Sequence, residues 1–207
     1  MLIKEAVKHT RPLGKTKKMP GKSYGISAKH CNIGMKLAKV ENTVCEGCYG
    51  LRGFYNMPKV IKAQDERLHL MLNDPLWEDA QMVQIRILDM PYFRWFDDGD
   101  LQSVYNLERI VRVCERTPSI HHWLPTKEYK LVKDYDKSVA PNLVIRVSAP
   151  NINKEFSSYT HVSTVYSKDN IEVSNGYVCP ASKQDNKCGS CRACWSDKVS
   201  EVSYLAH

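Results

Sequence analysis

Residues 92–126, YFRWFDDGDLQSVYNLERIVRVCERTPSIHHWLPT, contain the pattern that decides the fold. The aromatic run at residues 92–96 is typical of a β-strand, and an acidic turn at residues 97–100 follows it. Apolar side chains then recur at helical spacing, with Asp100 placed as the N-cap, until a Thr-Pro pair ends the helix. The apolar face consists of Leu101, Val104, Leu107, Ile110, Val111 and Cys114. Because residues 120–125 have the composition of another strand, this unit indicates two parallel strands joined by a crossover helix.

The alternation of strands and helices continues along the rest of the chain. Further strands are predicted at residues 23–28, 142–148 and 161–166, and helices at residues 59–72 and 127–135. About six such strands indicate an α/β fold, a partial β/α barrel of about six units with a C-terminal cysteine-rich metal-binding loop. The predicted organisation is a basic N-terminal arm, a β/α barrel-like domain and a C-terminal iron–sulfur loop, at residues 1–22, 23–178 and 179–207.

The composition of the 207 residues is that of an ordinary globular protein, 43% hydrophobic and 26% charged. No run of 18 apolar residues is present, so no membrane span and no membrane partner are predicted. The N-terminus lacks the apolar core of a secretory signal. Eight cysteines without an export signal indicate a reducing cytoplasm, where thiols bind metals or stay free.

Positive charge is concentrated at the N-terminus. Residues 1–30 contain eight lysines and arginines against Glu5 alone, a net charge of +7 that equals the net charge of the whole chain. Such a basic arm can bind the phosphates of a nucleic acid or a nucleotide. The alternative interpretation is a solvated tail without a partner.

Residues 179–195, CPASKQDNKCGSCRACW, contain four of the eight cysteines. Cys188, Cys191 and Cys194 follow one another at two-residue gaps, and Cys179 lies upstream before a proline. A tight loop with three thiolates and a remote Cys-Pro is the ligand pattern of a cubane [4Fe-4S] cluster. Zinc, which usually takes two separated C-x-x-C pairs, is the alternative, followed by disulfides or idle thiols.

The other cysteines divide into one apolar residue and a group of three. Cys114 falls on the apolar face of the predicted helix and is interpreted as core packing. Cys31, Cys45 and Cys48 follow the first predicted strand. Three thiolates on a four-iron cluster would leave one iron open to a ligand or substrate. A zinc site that includes His30, or thiols that bind nothing, are the alternatives.

These features resemble the radical S-adenosylmethionine (SAM) enzymes, which carry three cysteines after the first strand of a six-unit barrel. Cys48-Tyr49-Gly50 is similar to the end of their cysteine motif in some phage-associated relatives, and Thr126-Lys127 is similar to the end of their third strand. The resemblance implies that Gly99 and Asp100 lie near bound SAM and that a radical reaction takes place. Two departures are the 13-residue gap before Cys45 and a glycine where an aromatic residue precedes the last cysteine.

Most of the chain also resembles the phage gene-product-88 family. The matching stretches are SYGISA, FRWFDDGDL, TPSIHHWLPTKEY and KCGSCRACW, at residues 23–28, 93–101, 117–129 and 187–195. This resemblance implies phage origin, the cytoplasm of an infected host cell and cysteine-rich metal binding. Three interpretations of function remain: a radical-SAM-like enzyme that needs an electron donor, a non-enzymatic single-cluster protein for electron transfer, redox sensing or nucleic-acid binding, or a zinc-binding structural protein.

Overall fold

Seven strands form one open sheet in which neighbouring strands pair in parallel, in the order β1-β2-β3-β4-β5-β7-β6. The structure is a computed structural model, and it describes residues 1–206. The strands are β1 Lys22–Tyr24, β2 Tyr92–Trp95, β3 His121–Thr126, β4 Leu143–Ile152, β5 Val162–Tyr166, β6 Tyr177–Val178 and β7 Glu201–Leu205. The helices are α1 Ile3–Thr10, α2 Asn32–Leu37, α3 Pro58–Asn73, α4 Trp77–Arg86, α5 Val104–Glu115 and α6 Tyr129–Val132.

The predicted mixed α/β class with parallel strands is confirmed. Strands β2 and β3 flank helix α5 and pair in parallel, with Phe93 opposite His122. The count of about six strands is one short, because β7 was not predicted and lies inside the sheet between β5 and β6. The first strand is shorter than residues 23–28, and the sheet does not close on itself.

The predicted N-cap of helix α5 is wrong. The helix begins at Val104, and the Ser103 hydroxyl accepts the hydrogen bond from the Asn106 backbone N–H. Asp100 lies three residues earlier, and its carboxylate accepts hydrogen bonds from Thr126 Oγ1 and the Lys127 backbone N–H. Contacts with the end of a neighbouring strand therefore take the carboxylate away from the helix.

The two faces of the sheet are covered by different parts of the chain. Because side chains alternate along a strand, Phe93 and Trp95 of β2 enter one core with residues of helices α3, α4 and α5. On the opposite face, Trp123 of β3 and Val202 of β7 pack against residues 193–195. The cysteine-rich C-terminal segment thus covers one face of the sheet.

Helix α1 is folded onto the body of the protein and buries Ala6 and Thr10. Its His9 forms an ion pair with Asp74 at 2.9 Å, just after helix α3. An antiparallel bridge between Gly14 and Ser23 then brings the chain to the edge of the sheet. No helix within residues 1–206 has both the length and the apolar character needed to span a membrane.

The two adjacent histidines of β3 have different surroundings. His121 is exposed and stacks on Tyr92, whereas His122 is fully buried, stacks on Trp95 and shares a 2.9 Å hydrogen bond with Thr117 Oγ1. The histidine pair therefore fits structural positions on opposite faces of the strand rather than one shared site.

His122 should make the protein sensitive to acid. Burial lowers the pKa of His122 to about 3, whereas the unfolded chain takes up the same proton near pH 6.5. The stability that the neutral ring contributes is complete above pH 6.5 and is lost as the pH falls towards 3, on the order of 5 kcal/mol in total, of which about 2 kcal/mol is lost by pH 5. Urea unfolding at pH 7 and pH 5 measures this loss. His122→Gln cannot titrate, so its free energy of unfolding should change less between pH 7 and pH 5 than that of the wild type. An equal change in both proteins would show that His122 is not the source of the acid sensitivity.

Candidate functional site

The C-terminal cysteine group consists of Cys179, Cys188, Cys191 and Cys194. Backbone hydrogen bonds from three of these residues hold the group in place. The Cys179 backbone N–H donates to Ser203 of β7 at 2.8 Å, and the Cys188 N–H donates to the Lys18 carbonyl at 2.8 Å. The Cys191 N–H donates back to the Cys188 carbonyl at 2.9 Å, which forms the tight turn. All eight cysteines of the chain lie within the described residues, and all are free thiols.

The thiols of this group lie close enough to affect one another's charge. Burial raises the pKa of Cys188, and the neighbouring thiols of Cys179 and Cys191 raise it further. Burial also raises the pKa of Cys194 to about 12, with added contributions from Cys179 and Cys188. The pKa of Cys179 is raised by burial and by Cys191. Cys179, Cys191 and Cys194 also pack in one cluster of side chains, and the thiols of this group need a compensating positive charge to ionise together.

Two tyrosines point their hydroxyls at this group. Tyr204 Oη lies 3.0 Å from Cys194 Sγ, and Tyr177 Oη lies 3.6 Å from Cys191 Sγ. A phenol can donate to a thiolate, so both hydroxyls can stabilise ionised sulfur.

Arg146 of β4 positions the segment that carries Cys194. Its guanidinium is fully buried and donates to six backbone carbonyls at 2.8 to 3.5 Å. Five of these carbonyls lie within residues 193–200, and the sixth belongs to Val162 of β5. The five are those of Ala193, Cys194, Ser196, Val199 and Ser200. Trp195 fixes the same segment to the sheet, because its Nε1 donates to the Phe93 carbonyl at 2.9 Å.

Arg94 of β2 is a second cation beside the same thiols. Its guanidinium lies 4.6 Å from the centre of the Trp123 ring, and among the described residues it forms no ion pair within 4.0 Å. Burial alone would lower the pKa of Arg94, but the neighbouring Tyr49, Asp97, Tyr204 and, least of the four, Cys194 outweigh burial and raise it. Arg94 in turn lowers the pKa of Cys188. This guanidinium is therefore a counter-charge for sulfur.

Cys31, Cys45 and Cys48, the N-terminal cysteine group, lie at the carboxyl edge of the sheet. Residues 42–48 are anchored to the end of β4, because the Val44 N–H donates to Pro150 and the Ile152 N–H donates to Asn42, at 2.9 and 3.0 Å. Helix α2 occupies the 13-residue gap. A Cβ at Gly34 of this helix would lie 3.6 Å from Cys31 Sγ and 3.8 Å from Cys45 Sγ. The wide gap therefore still brings these two thiols to either side of one glycine.

The third cysteine and the acidic turn complete this edge. Burial raises the pKa of Cys31, and Asp100, Cys48, Asp98 and Cys45 raise it further. Cys48 and the carboxylates of Asp98 and Asp100 therefore lie near Cys31. His30, the candidate fourth zinc ligand, instead pairs with Asp65 at 2.8 Å.

In the turn after β2, Gly99 packs tightly against the residues that follow β1. Gly99 has φ +80°, and a Cβ there would meet the Ile26 carbonyl oxygen at 2.6 Å. Asp100 accepts hydrogen bonds from Thr126 Oγ1 at 2.5 Å and from the backbone N–H groups of Lys127 and Leu101, both at 2.8 Å. Burial raises its pKa to about 6 despite these hydrogen bonds. The turn is therefore a rigid, buried part of the edge.

Sequence reasoning missed several residues of this region. Asp98 is buried, accepts from Gln64 Nε2 at 2.9 Å and has its pKa raised by burial to about 6. Arg94 and Arg146 were also missed, although each is a charged residue inside a predicted strand. A charged residue in a buried strand is rare unless it has a partner, so these two arginines could have been picked out from the sequence as residues with a structural or functional role.

Neither cysteine group has the geometry of a single-ion site. Within residues 1–206, no three His, Cys, Asp or Glu side chains are arranged to hold one metal ion. Such a site requires each sulfur about 2.3 Å from zinc, which places the sulfurs about 4 Å from one another. The thiols of each group share a region but are not gathered around one point.

Comparisons with known proteins identify the family. No curated protein matches the chain, and no solved structure matches it. The family model described as gene product 88 matches residues 2–197, almost the whole chain. The chain therefore belongs to the gene product 88 family.

Proposed function

We propose that this chain is a phage iron–sulfur protein whose C-terminal cysteine group holds one [4Fe-4S] cluster. The observation that carries the proposal is the grouping of four free thiols, three half-buried and one buried, in one region with two guanidiniums beside them. The phage origin rests on membership of the gene product 88 family.

The cysteine spacing favours a cluster over a single ion, because three thiols at two-residue gaps and a remote Cys-Pro form the ligand pattern of a cubane. A cubane holds its four thiolates farther apart than zinc does, because each thiolate binds a different iron. The cluster with its thiolates is an anion, and buried positive charge and donors near sulfur stabilise it. Arg94, Tyr177 and Tyr204 provide that charge and those donors.

We further propose that the N-terminal cysteine group holds a second cluster with one open iron, in a partial β/α barrel. Three thiols lie at the carboxyl edge of a parallel sheet, the edge at which barrel enzymes build their sites. A cluster of this kind supplies an electron for the reductive cleavage of SAM when both are bound. Asp100, which Thr126 and Lys127 hold in place by their hydrogen bonds, would accept from the amine or ribose of SAM, and Gly99 lets the turn that carries it pack closely against Ile26.

The competing function is a single-cluster protein that is not an enzyme. Anaerobically purified protein is assayed for iron, sulfide and the production of 5′-deoxyadenosine from SAM after reduction. About eight irons per chain with SAM cleavage support the enzyme, and about four irons without cleavage support the single-cluster protein. Colourless protein containing zinc would contradict both.

Gly34 provides a separate test of the N-terminal group. The side chain of Gly34→Val would extend between Cys31 Sγ and Cys45 Sγ, which lie 3.6 and 3.8 Å from the first added carbon. We expect this variant to lose about half of the iron, the share of one cluster of two, and all SAM cleavage. Iron and sulfide analysis measures the loss.

Gly47→Val is the matched control for Gly34→Val. Gly47 lies between Cys45 and Cys48 in sequence, but an added Cβ there meets nothing within 4 Å. This variant should keep its iron. Equal iron content in wild type, Gly34→Val and Gly47→Val would show that the N-terminal group holds no cluster.

A further inference from the structure

The basic N-terminal segment lies directly against the C-terminal cysteine group. The Lys18 carbonyl accepts the hydrogen bond from the Cys188 N–H at 2.8 Å, and Met19 packs in the same cluster of side chains as Cys179 and Cys191. Lys15, Lys17 and Lys18 are exposed. Two regions far apart in sequence, one rich in lysine and one rich in cysteine, thus form one surface.

The cysteine loop adds its own cations to this surface. Together they form the basic surface, which consists of Lys15, Lys17, Lys18, Lys183, Lys187 and Arg192. Of these six, only Lys187 has an acidic partner within 4.0 Å among the described residues, and that partner is Asp185 at 3.9 Å. Arg192 is held in place by its bonds to the Gly189 and Cys191 carbonyls, both at 2.7 Å. The surface therefore has an excess of positive charge that the chain does not neutralise.

This charge lies where the proposed cluster is nearest to solvent. Cys179, Cys188 and Cys191 are half-buried, whereas Cys194 is buried on the side towards the sheet. Cys188 and Cys191 directly flank exposed residues of the loop. A partner that binds the basic surface would thus approach the cluster from its open side.

We propose that the basic surface docks a small acidic protein that carries one electron, such as a reduced flavin protein, and that this protein reduces the C-terminal cluster. The inference rests on the proposed function. In the docked complex the carrier loses one electron and the cluster gains it, and no bond forms or breaks. A patch of like charge around one redox centre favours a compact acidic protein over a nucleic acid, because the cations surround the thiols instead of following a groove.

The expected signature is a rate that depends on charge and salt. Complementary charge steers encounters and raises association rates by about 10- to 1,000-fold at low salt, and salt screens the effect. The probe is an acidic flavodoxin in its hydroquinone form, mixed with protein of measured iron and sulfide content in a stopped-flow instrument. Bleaching of the cluster absorbance reports its reduction.

The first variant replaces three lysines of the basic surface, Lys15→Gln/Lys17→Gln/Lys18→Gln. It should lower the second-order rate constant for reduction of the cluster by flavodoxin about tenfold at low salt, and it should remove most of the salt dependence of that rate constant. Its control is Lys59→Gln/Lys130→Gln/Lys133→Gln, which removes three exposed lysines outside the basic surface and should behave as wild type. Photoreduction by a neutral deazaflavin should be equal in all three proteins, which shows that the cluster itself is intact.

Each alternative outcome has one meaning. Wild-type protein without iron and sulfide would overturn the proposed function itself. Intact clusters with equal flavodoxin rates in both variants would overturn only the docking surface. Tight binding of short duplex DNA that the first variant loses, with flavodoxin rates unchanged, would instead identify the surface as a nucleic-acid site.

Discussion

Cys191→Ala is expected to remove about four iron atoms per chain, together with the cluster colour, because it deletes one of four thiols that converge on one region. Cys191 is a suitable choice because it is half-buried and lies outside the main core that helices α3, α4 and α5 form with the sheet. The protein should also melt at a lower temperature, since the free energy of metal binding adds to the stability of the folded state. Iron and sulfide analysis and thermal unfolding measure both effects.

Cys114→Ala is the matched control for this change. Cys114 is fully buried in helix α5 and packs in the core formed with helices α3 and α4, away from both cysteine groups. This variant should lose some stability through the small cavity but keep its full iron content. If both variants contained as much iron as wild type, the C-terminal cysteine group would not be a cluster site.

The fold could be predicted where local signals agreed. The unit from β2 through α5 to β3 was correct because strand composition, helical spacing and the Thr-Pro end all lie within one short stretch. Strand β7 was missed because its five residues follow the cysteine loop and have no flanking helix to mark them. The Asp100 cap was wrong because a partner 26 residues away, Thr126, competes for the carboxylate. Distant contacts of this kind leave no trace in local sequence.

The site was predicted in part for the same reason. Each cysteine outside the core could be named as a candidate ligand from spacing, since ligand motifs are local, and its role as a ligand stays a prediction. The closure of the gap between Cys31 and Cys45 depends on the pairing of residues 42–44 with the end of β4, which no spacing rule contains. Arg146 interrupts the apolar stretch NLVIRVS, and a charge in a buried strand predicts a partner without naming it. The partner is a set of backbone carbonyls. Because every residue has one, the sequence does not mark which carbonyls Arg146 binds.

Arg146→Met is expected to produce the largest loss of stability from a single change outside the cysteines. The substitution removes the Arg146 donor from six backbone carbonyls, of which Ala193, Ser196 and Ser200 keep a backbone donor, and each buried acceptor left unpaired costs about 1 to 3 kcal/mol. Five of those carbonyls are in residues 193–200, so the loss falls on the segment between Cys194 and β7. Urea unfolding gives the free energy, and iron analysis shows whether the loosened segment still supports the cluster.

Two further variants separate the geometry of the guanidinium from its charge. Arg146→Lys keeps the positive charge but offers three donors in place of five, so it should recover only part of the stability. Arg116→Met removes an exposed arginine paired with Asp79 at 2.6 Å, and we expect it to cost less than about 1 kcal/mol. Should Arg146→Lys be as stable as wild type, charge alone would account for Arg146, and the carbonyl network would not determine the position of the C-terminal segment. Loss of stability in both Arg146 variants, with iron lost in parallel, would instead tie the cluster loop to this one side chain on β4.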